Sequence, residues 1–220
     1  MPLAAFGEVL FENLPFLLDG YVVTILLVAV GFVGSLLVGT FFAGIRLSPF
    51  PVLPQLARAE VELFRNTPLL IQMFLFWIGL GSIGIRLEPF VAGALALSLY
   101  TGAYVTEVLR SGFATIPRGQ FEAAESIGLG FVQTLRYIVM PQAFRTVIPP
   151  LGNLLIALMK NSAIASAIAV EDLLFRSQVL EGRTFATFEL FTGVLLGYLT
   201  LTLPAGFALR RLERRLAIKR

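Results

Sequence analysis

The stretch from Gly20 to Ile45 contains no charged residue, and the first basic residue of the chain is Arg46. A transmembrane helix needs about 20 consecutive apolar residues, so this stretch is long enough to cross a bilayer. The 220 residues are 57% hydrophobic and 14% charged, whereas soluble domains carry about 25% charged residues. So few charged side chains cannot cover a surface that faces water, and the sequence therefore predicts an all-α integral membrane protein.

Further apolar segments follow the first one, each bounded by charged residues. Together they predict five transmembrane helices and one polar loop, which form a single membrane domain over residues 1–220. The predicted spans cover residues 20–45, 66–86, 89–109, 146–170 and 190–209, and the loop covers residues 117–141.

Four glycines recur in the first span, namely Gly31, Gly34, Gly39 and Gly44. Small residues let membrane helices approach each other closely. This spacing favours close packing of the first span against another helix.

Two polar features interrupt the apolar spans, and each has two interpretations. Asn66 and Thr67 are capping residues, and Pro68 suits the first turn of a helix. The helix either starts at the membrane interface or restarts inside the bilayer, where its free N–H groups suit a carboxylate. Lys160 lies in the fourth span, where a charge is costly. It either has a functional role or forms an ion pair with a carboxylate of another helix.

The distribution of charge predicts the orientation in the membrane. The basic tail from Arg210 to Arg220, with the arginines around the polar loop, indicates the cytoplasmic side. The opposite side carries eight acidic and three basic residues. We therefore predict an outside N-terminus and a cytoplasmic C-terminus in a bacterial inner membrane. Beside a membrane span, the natural partner of the basic tail is anionic lipid rather than nucleic acid.

Composition excludes several kinds of chemistry. The chain has no cysteine and no histidine, which excludes disulfides, Cys/His metal sites and His-dependent nucleophilic catalysis. No glycine is followed by lysine, so a Walker A loop is absent. If ATP drives the protein, it must therefore bind to a separate chain. We predict a non-catalytic subunit without a cofactor or metal of its own.

The polar loop contains the motif that most narrows the function. Glu122-Ala123-Ala124 is followed after three residues by Gly128, and Ile138 precedes Met140-Pro141. This order resembles the EAA motif of permease subunits of bacterial ABC importers, in which Leu is usual where Met140 stands. Other segments are similar to the polar amino-acid branch of that family, the histidine, glutamine and glutamate type. They are residues 61–72, 103–110, 116–120, 141–143 and 160–162.

The resemblance implies a type I importer fold and several partners. A second permease subunit, identical or related, would pair with this one. Two ATPase subunits carrying ATP and Mg²⁺ would bind the helix around the motif, and an extracytoplasmic solute-binding protein would deliver an amino acid. The residues that couple to the ATPase would be Glu122, Ala123, Ala124, Glu125 and Gly128.

The resemblance also implies a mid-membrane substrate site. Its residues would be Asn66, Thr67, Pro68, Leu69, Gln72, Ser98, Thr101, Tyr104, Glu107, Asn161 and Ser162. Thr67 and the N–H groups after Pro68 would bind the α-carboxylate, and Glu107 or neutral acceptors would bind the α-ammonium. Family members for basic amino acids often have Asp where this chain has Asn161. The substitution favours glutamine, glutamate or aspartate as the substrate.

Two other functions fit parts of the pattern. Glu107 and Lys160 could serve an ion-gradient-driven secondary transporter, although five spans without an internal repeat argue against it. A membrane scaffold could use the motif as a docking helix alone. Transport that requires ATP and a co-purified ATPase distinguishes the importer from both.

Overall fold

The computed structural model describes residues 7–46, 48, 50 and 52–216, and this part of the chain is helical without a strand. Its helices are long where the sequence is apolar and short where it is polar. They are α1 (Glu8–Glu12), α2 (Leu14–Arg46), α3 (Val52–Asn66), α4 (Leu69–Ser82), α5 (Pro89–Ala114), α6 (Arg118–Ser126), α7 (Phe131–Ile168), α8 (Leu173–Thr184) and α9 (Thr187–Leu216).

Four helices, α2, α5, α7 and α9, are each long and apolar enough to cross a bilayer. Helices α3 and α4 pass the same test only together, and they are bent by 105° relative to each other. A helix rises about 1.5 Å per residue, so α4 alone is shorter than the hydrocarbon core of about 30 Å. Where the second span was predicted, over residues 66–86, the structure has the second helix of a bent pair, and the break between the two helices lies at Thr67-Pro68.

Helices α2 and α5 pack closely through glycines. A Cβ placed on Gly39 would lie 2.4 Å from Val105 Cγ1. Cβ atoms on Gly31 and Gly34 would lie 3.2 Å and 2.2 Å from side-chain atoms of α5. The predicted close packing is confirmed at these three positions and is wrong at Gly44, where a Cβ would meet nothing within 4 Å.

The main hydrophobic core lies where α2, α4, α5 and the end of α7 meet. Leu27, Met73, Leu97 and Leu158, one from each of these helices, are fully buried there. The core holds the start of α4 beside the C-terminal part of α7. The predicted substrate residues at the start of α4 and those near the end of α7 thus lie in one packed unit.

Candidate functional site

The break between α3 and α4 is held by side chains rather than by backbone hydrogen bonds alone. The Gln72 amide nitrogen donates to Phe64 O at 2.9 Å, to Thr67 O at 3.2 Å and to Thr67 Oγ1 at 2.8 Å. The Thr67 hydroxyl donates to Leu63 O at 2.8 Å. Pro68, with φ −61° and ψ 133°, caps the new helix. These bonds satisfy carbonyls that lose helical partners where α3 ends.

One atom of the Gln72 side chain takes no part in the hydrogen bonds at the break. This side chain is 5% exposed, and its Oε1 is buried without a hydrogen-bond partner among the described residues. Buried acceptors are nearly always paired in folded proteins, so this unpaired oxygen is a candidate acceptor for a ligand donor or a water molecule.

Aromatic side chains of α5 approach the same break. The Arg65 guanidinium lies over the Tyr104 ring, with its central carbon 5.0 Å from the ring centroid. The Tyr104 hydroxyl is 3.4 Å from that of Tyr100. Arg65 and Tyr100 were not among the predicted site residues. The signal for Arg65 was its place directly before Asn66-Thr67-Pro68 in the same polar segment.

Two other predicted residues of α5 have different neighbours. Ser98 Oγ donates to Ala94 O at 2.7 Å and contacts Gly31 O at 3.4 Å, so this side chain faces α2. The Glu107 carboxylate forms salt bridges with Arg46 and Arg110. The structure therefore does not bring these two groups to the break. Thr101 is buried, with 3% exposed.

The end of α7 contributes the last predicted segment. The helix changes from α to 3₁₀ geometry at Ser162, and this 3₁₀ turn packs against α4. Ser162 is fully buried and donates to Met159 O at 2.8 Å. Asn161 is half-buried, and Lys160 is exposed without a salt bridge in the described part of the chain. The predicted ion-pair alternative for Lys160 therefore finds no support among those residues.

Behind Ser162, four helices meet at a buried polar junction. The hydroxyl of Tyr198 faces Thr24, Ser162 and Asp172. The Leu173 N–H donates to Thr24 Oγ1 at 3.1 Å. Asp172 Oδ2 and the Tyr198 hydroxyl are sealed from solvent, and neither has a hydrogen bond of good geometry among the described residues. Sequence reasoning missed this junction because nothing local shows that Asp172 is buried.

Burial should make stability depend on pH through Asp172. Burial raises the pKa of its carboxyl from the usual 3.8 to about 6, although the Phe175 N–H donates to Oδ1 at 2.8 Å and favours the charged form. The folded state holds the proton of this carboxyl more tightly than the unfolded chain does. The resulting stabilisation is therefore complete at pH values below 3.8, and it is lost as the pH rises through 6. At about 1.4 kcal/mol per pKa unit, we expect a loss of about 2 kcal/mol between pH 4 and pH 7, because part of the unfolded chain is already ionised at pH 4.

The variant Asp172→Asn keeps an acceptor for the Phe175 N–H and removes the ionisation. We expect its thermal stability to be nearly flat over this pH range, measured as the monodisperse fraction on size exclusion after heating in detergent. The matched control is Glu171→Gln, which changes an exposed neighbouring carboxylate and should keep the wild-type slope. Equal slopes for both variants would contradict the assignment to Asp172.

The polar loop forms an elbow of two helices. Helix α6 ends in a Schellman motif, in which the Leu129 N–H donates to Ala124 O at 3.0 Å and the Gly128 N–H to Glu125 O at 2.9 Å. Gly128 has φ +81°, a conformation that L-residues with a side chain rarely adopt. The Gln133 side chain accepts from the Gly130 N–H at 3.0 Å and starts the next helix.

The elbow presents a large surface away from the helix bundle. Ile127, Phe131 and Val132 are 72–75% exposed. Glu122, Ala123 and Glu125 are exposed as well, while Ala124 is 3% exposed and packs within its own subunit. Exposed apolar clusters of this kind mark protein interaction sites. Four of the five predicted coupling residues, all but Ala124, thus lie on the outer surface of the elbow.

A cavity of about 750 Å³ lies between α2, α3, α5 and α7, on the same side of the molecule as the elbow. Arg46, Glu107 and Arg110 line one wall, and Arg58 and Glu62 of α3 line another. Glu107 thus belongs to this cavity together with its two arginines.

Comparison with solved structures defines the class of protein. A crystal structure of an amino acid ABC transporter with histidines matches with a TM-score of 0.88 and 32% identity, over 94% of this chain and 96% of that chain. The inward-facing MetNI methionine ABC transporter matches with a TM-score of 0.68 at 20% identity, which supports the fold alone. The predicted type I ABC permease fold is confirmed.

The chain belongs to the family of binding-protein-dependent transport system inner membrane components, whose model matches residues 35–218. The probable glutamine ABC transporter permease protein GlnM of Bacillus subtilis is 39% identical over 95% of this chain and 97% of its own length. The glutamate transport system permease protein GluC of Corynebacterium glutamicum is 40% identical over 94% and 96%. The ABC importer permease prediction is confirmed, and the secondary-transporter alternative is not supported.

Proposed function

We propose that this chain forms the path for a polar amino acid, glutamine or glutamate, in an importer whose ATP is hydrolysed on separate subunits. The observation that carries the proposal is the broken span α3–α4, whose polar joint packs beside the end of α7. The names of GlnM and GluC support the choice of substrate. Two ATPases, a second permease subunit and a solute-binding protein complete the proposed assembly.

The start of α4 supplies the proposed site for the α-carboxylate. The N–H groups of Ile71 and Gln72 already donate to Pro68 O. Those of Leu69 and Leu70 are left to bind an anion at the N-terminus of the helix. Arg65 lies on the other side of the break and adds a positive charge.

The α-ammonium needs hydrogen-bond acceptors, and the structure favours a different acceptor from the predicted Glu107. Glu107 is already engaged by two arginines. The buried and unpartnered Oε1 of Gln72 is the better acceptor, because binding an ammonium would satisfy it. In this proposal Asn161 meets the substrate side chain and Tyr104 closes the site over the break.

The elbow is the proposed docking site for the ATPase. Its apolar surface, flanked by Glu122 and Glu125, suits a groove that has apolar walls and basic residues at its rim. The proposed orientation places the elbow in the cytoplasm and the N-terminus outside. The C-terminal turns of α9 support it, since they carry Arg210, Arg211, Arg214 and Arg215.

Reconstitution tests the proposal. In proteoliposomes with the co-purified ATPase and solute-binding protein, we expect glutamine or glutamate uptake that requires ATP and is unaffected by an ion gradient. A chain that transports with a proton or sodium gradient alone would overturn the proposal.

In the same assay, Asn161→Asp should lower uptake of glutamate relative to arginine by about tenfold. An added carboxylate repels an acidic side chain and attracts a basic one, and a change of 1.4 kcal/mol in affinity is tenfold. The matched control is Asn153→Asp, the same change at an exposed position of α7. An unchanged glutamate-to-arginine ratio would show that position 161 does not contact the side chain.

A further inference from the structure

The cavity beside the elbow contains two kinds of charged residue. Arg46 and Arg110 are both bonded to Glu107, so these charges are largely satisfied within the protein. Glu60 lies beside Arg46, and its carboxylate oxygens are sealed from solvent. Arg46, Glu107 and Arg110 thus form one wall of the cavity, and their charges are paired with each other.

Arg58 and Glu62 are the second kind of charged residue in the cavity. They lie one helical turn apart on α3, about 6 Å along the axis, and both line the cavity. Both side chains are exposed, and no salt bridge or hydrogen bond joins either to another described residue. A free guanidinium thus stands next to a free carboxylate in a concave site, which suits a ligand that carries both an anion and an ammonium group.

The rest of the cavity is apolar and lies near the membrane surface. Leu109, Phe113 and Phe144 line it, and Gly44 leaves open space where a side chain would narrow it. Helix α3 exposes Leu56 and Leu63, each 58% exposed, as an amphipathic helix at a membrane interface does. A volume of about 750 Å³ is far larger than a free amino acid needs. Together with the apolar lining, this volume leaves room for part of an acyl chain beside a charged headgroup.

We propose that this cavity binds a phospholipid with a phosphoethanolamine headgroup. The lipid phosphate binds Arg58 and the open side of the Arg110 guanidinium, its primary ammonium binds Glu62, and an acyl chain lies along Phe113 and Phe144. Pockets with basic residues between membrane helices are suited to lipid headgroups. The adjoining carboxylate selects a headgroup that has N–H donors as well as a phosphate. The proposal stands on the fold and does not rest on the identity of the transported substrate.

The test is a titration of the purified full chain, with any subunits that co-purify, by native mass spectrometry. The probes are dioctanoyl phosphatidylethanolamine, phosphatidylcholine and phosphatidylglycerol. Phosphatidylcholine has no N–H donor for Glu62, and phosphatidylglycerol has no ammonium. We expect the ethanolamine lipid to bind wild type about tenfold more tightly than either of the others, as one charge-assisted hydrogen bond implies.

Two substitutions separate the roles, and both change exposed side chains that form no salt bridge in the described part of the chain. Glu62→Gln should remove the preference for the ethanolamine lipid, and it should not weaken binding of phosphatidylglycerol, because it removes a carboxylate that repels this anionic lipid. Arg58→Gln should weaken binding of all three lipids about tenfold. Glu8→Gln and Arg183→Gln, the same changes at exposed positions outside the cavity, should leave all affinities unchanged.

Three results would overturn the proposal. They are equal affinity of wild type for the three lipids, a preference that survives Glu62→Gln, and displacement of the ethanolamine lipid by millimolar glutamine. The last result would assign the cavity to free amino acid. If lipid selectivity is found but reconstituted uptake is not, the proposed function fails and the lipid site stands.

Discussion

Gly128→Pro should abolish substrate-stimulated ATP hydrolysis and uptake while the protein still inserts in the membrane. Proline requires φ near −65°, whereas Gly128 has φ +81°. Proline also lacks the N–H that donates to Glu125 O. The Schellman motif needs both the positive φ and the N–H of residue 128. In Gly128→Pro, α6 and the first turns of α7 therefore lose their relative direction. We expect at least a tenfold loss of coupled activity, measured as ATP hydrolysis with and without loaded binding protein.

The matched control for this prediction is Gly119→Ala, in the same loop. Gly119 is helical, and a Cβ there would meet nothing within 4 Å. Gly119→Ala should keep coupling, and both variants should purify with the wild-type yield. Full coupling in Gly128→Pro would show that the direction of the elbow does not transmit motion.

Gly39→Ala should destabilise the protein by about 2–3 kcal/mol, because it overpacks the contact of α2 with α5. The new Cβ would lie 2.4 Å from Val105 Cγ1 and 2.9 Å from the backbone oxygen of Gly102. A side chain can rotate away, but a backbone oxygen cannot, so the helices must separate. The measurement is the temperature at which half of the detergent-solubilised protein leaves the monodisperse peak.

Gly44→Ala is the control for Gly39→Ala, because it makes the same change farther along the same helix. A Cβ on Gly44 meets nothing within 4 Å, and alanine is favoured over glycine in helices by up to about 1 kcal/mol. We therefore expect a slight stabilisation, the opposite sign to Gly39→Ala. Equal midpoints for the two variants would mean that the close α2–α5 contact does not limit stability.

The parts of the fold that depend on local pattern followed from the sequence. The uncharged stretch at Gly20–Ile45 lies within α2, and the glycines at 31, 34 and 39 lie in the predicted helix contact. Pro68 does start a helix, and the 105° bend favours the interpretation that the second span is interrupted. The sequence could not show that α3 joins α4 in a bent pair, because residues 52–66 mix apolar and charged side chains.

The candidate site was predictable only in part. Thr67, Pro68, Leu69 and Gln72 lie together at the break because they are neighbours in sequence. The family resemblance implied Ser98 as a site residue, but its position on α5 turns its side chain toward α2. The family resemblance also implied Glu107, which follows the uncharged stretch at residues 89–106. Its partner Arg46 is distant in the chain, and no local pattern pairs them.

The sequence by itself determined that this chain is a membrane permease, which stretches are apolar enough to cross a bilayer and which loop leaves the bundle. Hydrophobicity, charge and a contiguous motif are local properties, and a bilayer imposes them on any chain that crosses it. Only the tertiary structure decided how the charges are used. It joined Glu107 to Arg46 and Arg110, buried Asp172 beside Tyr198, and left Arg58 and Glu62 free in a cavity. These outcomes depend on contacts between distant segments, since a charge is stabilised by whatever the packed helices place against it.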